Sequence, residues 1–437
     1  MENIIAVLKN KDVMKKIGFT LFAFFVYKAA TYIHIPYINP EEIAAFFEAA
    51  DSGFLGIANA FTGNALKNYS IIALGIGPYI TASIVVQLLQ MDIVPFLKEW
   101  SEEGETGKQK INQLTRYLAI ALAFIQALAM TYGFRLTGNS IFDLGVDANF
   151  LTYTYLAIVM TAGSAFLLWL ADQITLKGIG NGTSMIIVAG IVSGMPGMVS
   201  SLIGEYITAI DADWGSYGIF AFVMLLYFVV IFGVTIMQSA NRKIPIQYSN
   251  RPSSSKFQGK SDSNIPLKIN SAGVIPVIFA VTLLSLPSTV LNFASDSVVE
   301  SNFGLLMSEM FDYTRPLGYL VYILLIFIFA LFYSFVQINP EKIANNLQKQ
   351  NAYVPGVRPG IDTENFISRL LFKITLIGAT YLVVVASLPI FASIIFDLPA
   401  YVQIGGTSLL IVVGVAIETT KQIKTDTQDQ KYSGFIK

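Results

Sequence analysis

Long apolar stretches alternate with polar segments along this chain. The apolar runs fall near 17–32, 71–89, 117–134, 151–170, 183–203, 218–237, 272–290, 318–336, 374–391 and 404–417. Most approach the roughly 20 residues that a helix needs to cross a bilayer core, so the pattern predicts ten transmembrane helices. The run 71–89 departs from a plain anchor: Gly75, Gly77 and Pro78 sit near one end, and Thr81, Ser83 and Gln87 follow. Small residues admit close helix neighbours and a buried glutamine needs a partner, so this helix is expected to face protein or a cavity rather than lipid. Residues 54–67 are too short to span and too apolar for a solvated loop, the pattern of a re-entrant or interfacial piece. Residues 1–16 fit an amphipathic surface segment, and no small-residue cleavage site follows the first apolar run, so no cleavable signal peptide is expected. The polar stretches 98–116, 239–268 and 338–365 read as loops.

Two motifs recur. Gly75, Pro78 and Ile80 are answered by Gly273, Pro276 and Ile278, and the run Gly182-Thr183-Ser184-Met185-Ile186-Ile187 by Gly406-Thr407-Ser408-Leu409-Leu410-Ile411. Both spacings lie near half the chain, which predicts two related halves, 1–213 with spans one to five and 214–437 with spans six to ten. Five spans per half reverse the direction of matched helices, so the halves are expected to be inverted.

Composition agrees with a membrane protein. The chain has 437 residues, 54% hydrophobic and only 13% charged, with mean hydropathy +0.60, which excludes an ordinary soluble domain. All of the 28 basic residues except Lys28, Lys67, Arg135 and Arg315 fall on one side of the predicted topology. That bias predicts both termini in the cytoplasm. Lys28, near a helix end, is expected to snorkel or pair.

The candidate chemistry is sparse. There is no cysteine, and the single histidine, His34, beside Pro36 suits an interface better than a metal or a catalytic base. Glu102, Glu103 and Glu105 lie in a solvated stretch with nothing apolar to raise a pKa. GIGNGTS lacks a preceding strand, and Gly259-Lys260-Ser261 lacks the P-loop glycine at position 254, so nucleotide binding is rejected. Neither catalysis, nor a cofactor, nor a metal is expected. Interrupted helices in paired halves also mark secondary transporters, but carboxylates within the spans are nearly absent: Asp172, Asp397 and Glu418 lie at span ends.

Six stretches, in order, carry a resemblance: ALGIGPYITASIVVQLL from Ala73, EGETGKQKINQLTRYLA from Glu103, GIGNGTSMII from Gly178, IPLKINSAGVIPVIFA from Ile265, YVPGVRPG from Tyr353 and GGTSLLIVVGVAIE from Gly405. Together they resemble SecY, the channel subunit of the bacterial protein-conducting translocon. The resemblance implies an all-α integral membrane protein of the cell inner membrane, a channel for unfolded polypeptides that releases apolar segments sideways into lipid. It implies a pore ring at Ile76, Ile80, Thr183, Ile187, Ile278 and Ile411, with Thr183 standing where the family usually has isoleucine. A short plug helix is implied at 54–67, with Phe61, Thr62, Gly63, Asn64, Ala65 and Leu66 at its centre; relatives often have Ser-Gly-Gly at 62–64. Gln87 and Asn270 fall in the lateral gate's polar cluster, where a mutual or water-mediated contact is expected. Arg242, Lys243 and Arg358 are implied to dock cytoplasmic partners. The implied partners are the SecE and SecG subunits, the SecA ATPase, the ribosome, signal peptides and nascent or precursor chains, and membrane lipids.

Overall fold

The computed structural model describes residues 10–39, 41–43, 59, 62–90, 94–136, 150–208, 214–248, 263–292, 301–313, 315–396 and 400–433. The helices, in chain order, are α1 (Lys11–Ala30), α2 (Gly77–Leu89), α3 (Pro95–Glu102), α4 (Glu105–Leu136), α5 (Phe150–Lys177), α6 (Gly182–Tyr206) and α7 (Trp214–Ser239), then α8 (Ile275–Asn292), α9 (Asn302–Phe311), α10 (Pro316–Gln337), α11 (Pro340–Lys349), α12 (Ile361–Phe396) and α13 (Ala400–Ser433). Among the described residues, six helices are long and apolar enough to cross a membrane: α4, α5, α6, α7, α10 and α12. α2 and α8 are apolar but shorter.

Helix starts follow local chemistry. Asn10 caps α1 by accepting from the Asp12 and Val13 amides, Asn181 caps α6 at the Thr183 amide, and Asn339 caps α11 at the Lys342 amide. Pro78 and Pro316 occupy first turns, where a missing amide costs nothing. The stretch 98–116, expected as a loop, is largely helical. α3 and α4 meet at Gly104, whose φ of +78° makes the corner, and a Cβ on Gly107 would strike the Trp100 carbonyl.

The polar stretches 239–268 and 338–365 also hold structure. β1 (Asn241–Tyr248) pairs antiparallel with β2 (Ser263–Lys268), setting Ile244 opposite Ile265, and with the short β3 (Ala352–Tyr353), giving the order β2-β1-β3. Ile244, Leu267, Val354 and Ile374 close one small core under this sheet, while Leu347, Ala352 and Ile367 close another with α11 and α12. The fold is therefore a helical one that carries one small three-stranded sheet among the described residues.

In the first part of the bundle, α1 touches α5 and α6, and α2, α4, α5 and α6 pack in sequence. In the second, α7 touches α12 and α13, and α8, α10, α12 and α13 pack in sequence. The two parts meet through α2 with α8, α6 with α13, α6 with α7 and α1 with α13. One large apolar cluster runs across that boundary.

Candidate functional site

At the boundary, α2 and α8 begin with the same device. Residues 71–76, expected as the first turns of a span, are turns; Gly75 adopts φ +58°, and helix starts only at Gly77 with Pro78 in its first turn. Gly273 likewise adopts φ +66° just before Pro276 in the first turn of α8. A left-handed residue is inexpensive only for glycine. Each unwound segment lies on a glycine of a neighbouring helix. A Cβ on Gly163 of α5 would strike the Ile71 carbonyl, and one on Gly378 of α12 would stand 2.8 Å from the Ile269 carbonyl. Gly163 and Gly378 were not singled out from the sequence, although aligning the halves on the motif pairs brings them near one another.

The five isoleucines named from the sequence fall close together. Ile76, Ile187 and Ile411 are buried in the boundary cluster, and Ile80 and Ile278 pack against it. Ile187, Ile278 and Ile411 also line a cavity of about 90 Å³, open to solvent, whose polar wall includes Gln238, Lys268, Asn270, Gln337, Glu418 and Lys421. Thr183 does not line that cavity. Its amide donates to Asn181 Oδ1 at 3.0 Å, and its side chain lies beside Tyr79 of α2.

Residues 62–69 form turns rather than the expected helix. Phe61 lies outside the described residues, as do 54–58. Gly63 and Asn64 both have positive φ, +62° and +70°. Thr62, Gly63, Ala65 and Leu66 are buried, and Asn64 is half-buried, its Oδ1 accepting from Asn59 Nδ2 at 3.1 Å. Gly63 sits on Gly190 of α6, where a Cβ would come within 2.9 Å of the Gly190 carbonyl. Tyr27 of α1 donates its hydroxyl to the Thr62 carbonyl at 2.7 Å, and Lys28 Nζ and Ser193 Oγ each stand 3.5 Å from the Gly63 carbonyl. Lys28 also lies 5.2 Å from the centre of the Tyr32 ring, so its charge is paired as expected of a helix-end lysine. Nothing in the sequence alone marked Tyr27 or Ser193. His34 serves the same region, with Nδ1 2.7 Å from the Asn68 carbonyl and a bridge to Ser70.

Gln87 and Asn270 do not bond each other. Gln87 Nε2 donates to Ser83 Oγ at 3.0 Å within α2, and Asn270 Nδ2 donates to the Gly273 carbonyl at 3.0 Å. Both side-chain carbonyl oxygens are buried without a partner. Such an acceptor costs about 1–3 kcal/mol, so each side chain is left undersatisfied. Arg242 and Lys243 project from β1, exposed, opposite Leu267 and Pro266. Arg358 is exposed in the turn that follows β3, so the sheet gathers both basic stretches at one end of the molecule. Among the described residues, no cluster of His, Asp or Glu is placed to hold a metal.

The helical bundle, two packed groups with unwound helix starts at their seam, is similar in fold to solved protein-conducting channels. A solved structure described as that of a protein conducting channel matches with a TM-score of 0.63 at 18% identity, covering 95% of this chain and 93% of its own. A second, in which the plug domain is described as stabilising the closed state, gives 0.64 at 18% over 95% and 92%, and canine Sec61 in a ribosome-channel complex gives 0.61 at 17% over 95% and 93%. The sequence is more specific. A profile of the SecY family matches residues 70–420. The protein translocase subunit SecY of Bacillus licheniformis is 45% identical over 433 residues, with 98% of each chain covered, and that of Halalkalibacterium halodurans is 47% identical over 433 residues, covering 98% of this chain and 97% of its own. The chain belongs to the SecY family, whose members are translocase channel subunits and not enzymes.

Proposed function

We propose that this chain is the central subunit of a protein translocase in the cell inner membrane, and that its constriction is the isoleucine group Ile76, Ile80, Ile187, Ile278 and Ile411, with Thr183 at its margin. The observation that carries this reading is the convergence of isoleucines from both parts of the bundle on one apolar cluster beside an open, polar-walled cavity. A narrow apolar waist dewets when empty and closes around a chain when occupied, so it holds back ions without an engine of its own. Residues 62–66 act as the plug. Gln87 and Asn270 belong to a lateral gate between α2 and α8, where unpaired acceptors in the closed seam make parting less costly.

In this reading ten helices span: α1, α2, α4, α5, α6, α7, α8, α10, α12 and α13. The parts 1–213 and 214–437 are inverted repeats. The packing order supports this, because exchanging α1, α2, α4, α5 and α6 for α7, α8, α10, α12 and α13 reproduces the neighbours within each part and the contacts between them. The matched glycine pairs, Gly75 with Gly273 and Gly163 with Gly378, support it at atomic detail. The basic sheet end, with Arg242, Lys243 and Arg358, faces the cytoplasm with both termini and docks the ribosome or the SecA ATPase. SecE and SecG complete the complex around the channel, through which signal peptides and nascent or precursor chains pass or exit to lipid.

Single-channel conductance of the purified complex in planar bilayers tests the constriction. Ile411→Asn, or Ile80→Gly with Ile278→Gly, is expected to raise resting ion conductance while polypeptide still passes, because an amide gives water a partner and lost side chains open the waist. Background conductance in both variants, with and without residues 62–66, would remove these isoleucines from the seal.

A further inference from the structure

We infer that Tyr27 is the residue that positions the plug in the resting channel, holding it through the Thr62 backbone carbonyl. This rests on the reading of residues 62–66 as the plug. Tyr27 is 2% exposed and donates from α1 into the segment, and among the described residues its 2.7 Å bond is the shortest polar contact that anchors residues 62–66 to a helix of the bundle. The Thr62 carbonyl also accepts from the Ala65 amide at 3.2 Å, so both of its lone pairs are engaged and none is left for water. The neighbouring Gly63 carbonyl has only contacts at 3.5 Å, from Lys28 and Ser193, at the limit of useful hydrogen bonding.

Sterics and polarity act together at this seat. Gly63 fits because neither it nor Gly190 carries a side chain, and its φ of +62° suits glycine. That contact fixes where the segment can rest but supplies little attraction. The tyrosine supplies a directional bond in a dry setting, where a donor and acceptor separated without replacement are costly. Because the acceptor is a main-chain carbonyl, the hold does not depend on which side chains occupy 62–64. A threonine at 62 is therefore tolerated.

The chain has no cysteine, so Ala65→Cys, at a position that is 0% exposed, provides a single thiol whose reaction with a membrane-impermeant maleimide reports departure of the segment. In the intact complex in proteoliposomes, adding Tyr27→Phe is expected to raise the resting labelling rate about fivefold, the equivalent of one buried neutral hydrogen bond. The thermal unfolding midpoint should fall by no more than about 2 °C, and the labelling difference should vanish when an arrested precursor occupies the channel, since the segment is then displaced in both proteins. Gly63→Ala, which collides with Gly190, is expected to raise labelling further. Equal resting rates for Tyr27→Phe and its parent would overturn the inference, as would a rate difference that persists with the precursor in place. Failure of the plug reading looks different: faster labelling in Tyr27→Phe, with ion conductance unaltered even when 62–66 are deleted, would keep the anchor and remove the plug.

Discussion

The unwound segments before α2 and α8 share a backbone and differ in what fills the space beside them. Next to Gly75, the Thr62 methyl lies where a Cβ would be, 2.7 Å away, while no described atom lies within 4 Å of the corresponding point at Gly273, which lines the open cavity. The repeat dictates the left-handed turn in both places. What distinguishes them is the inserted stretch at 62–69, which occupies one side of the seam and has no described counterpart on the other. The shared glycine and proline spacing builds the same turn twice, and under the plug role proposed for 62–66 the added stretch is what sets the two sides apart.

The largest effect expected from breaking this comparison lies in the helices beneath the turns. Gly163→Ala drives a methyl into the Ile71 carbonyl, a main-chain atom that can yield only by moving the whole segment, whereas Gly378→Ala meets the Ile269 carbonyl at 2.8 Å, with Asn270 Cα next at 3.5 Å. Overpacking of this kind costs about 1–3 kcal/mol, occasionally more. Gly163→Ala should therefore reduce assembled complex in the membrane severely, and Gly378→Ala clearly but less. Equal, near-normal amounts of both variants would show that the close packing against the two turns does not matter.

Alanine at the turns themselves should act more mildly. Both Gly75→Ala and Gly273→Ala force an L side chain into the left-handed region, which costs about 1–2 kcal/mol. Only Gly75→Ala adds a collision, with the Thr62 methyl, so it should lower the unfolding midpoint more than Gly273→Ala and also loosen the 62–66 segment. Combining Gly75→Ala with Thr62→Ser removes that methyl and should return the variant to the level of Gly273→Ala. Without such a return, the neighbour's methyl is irrelevant and the two glycines are equivalent.

How much of this was legible follows from where each partner lies in the chain. Glycine and proline at fixed offsets announce the paired starts of α2 and α8, because their constraint is local. The sheet was not legible. Ile244 and Leu267 find Val354 and Ile374 about a hundred residues on, and Pro245 within β1 argues against a strand until that core is seen. The extension of α4 back through charged residues to Glu105 is likewise a tertiary matter, secured by α3 and by the Arg116 to Asp172 ion pair at 2.8 Å. For the candidate site, the five isoleucines that the resemblance implied lie in or against one apolar cluster, whereas the neighbourhood of Thr183 and Tyr79 depends on how α6 meets α2, which no local pattern gives. The seat of the 62–66 segment depends on Tyr27, whose spacing in α1 is that of any interior aromatic.

The smallest effect concerns ion pairs within a part and between the two. Arg116 and Asp172 join α4 to α5 inside the first part; Lys16 and Asp426, 2.6 Å apart, join α1 to the far end of α13 across the boundary. The Lys16 side chain is 43% exposed and that of Asp426 28%, so solvent screens the pair and its coupling should be about 0.2–1 kcal/mol. A double-mutant cycle on Lys16→Ala and Asp426→Ala, read from unfolding midpoints, should give that coupling in low salt. In about 1 M salt, where the Debye length is about 3 Å, it should be nearly gone. The cross-boundary bond would then be a weak tether that lets the two parts separate, as a gate between α2 and α8 requires. A coupling of several kcal/mol that survives high salt would mean a rigid clasp on this side, and the parting of the halves would have to be sought elsewhere.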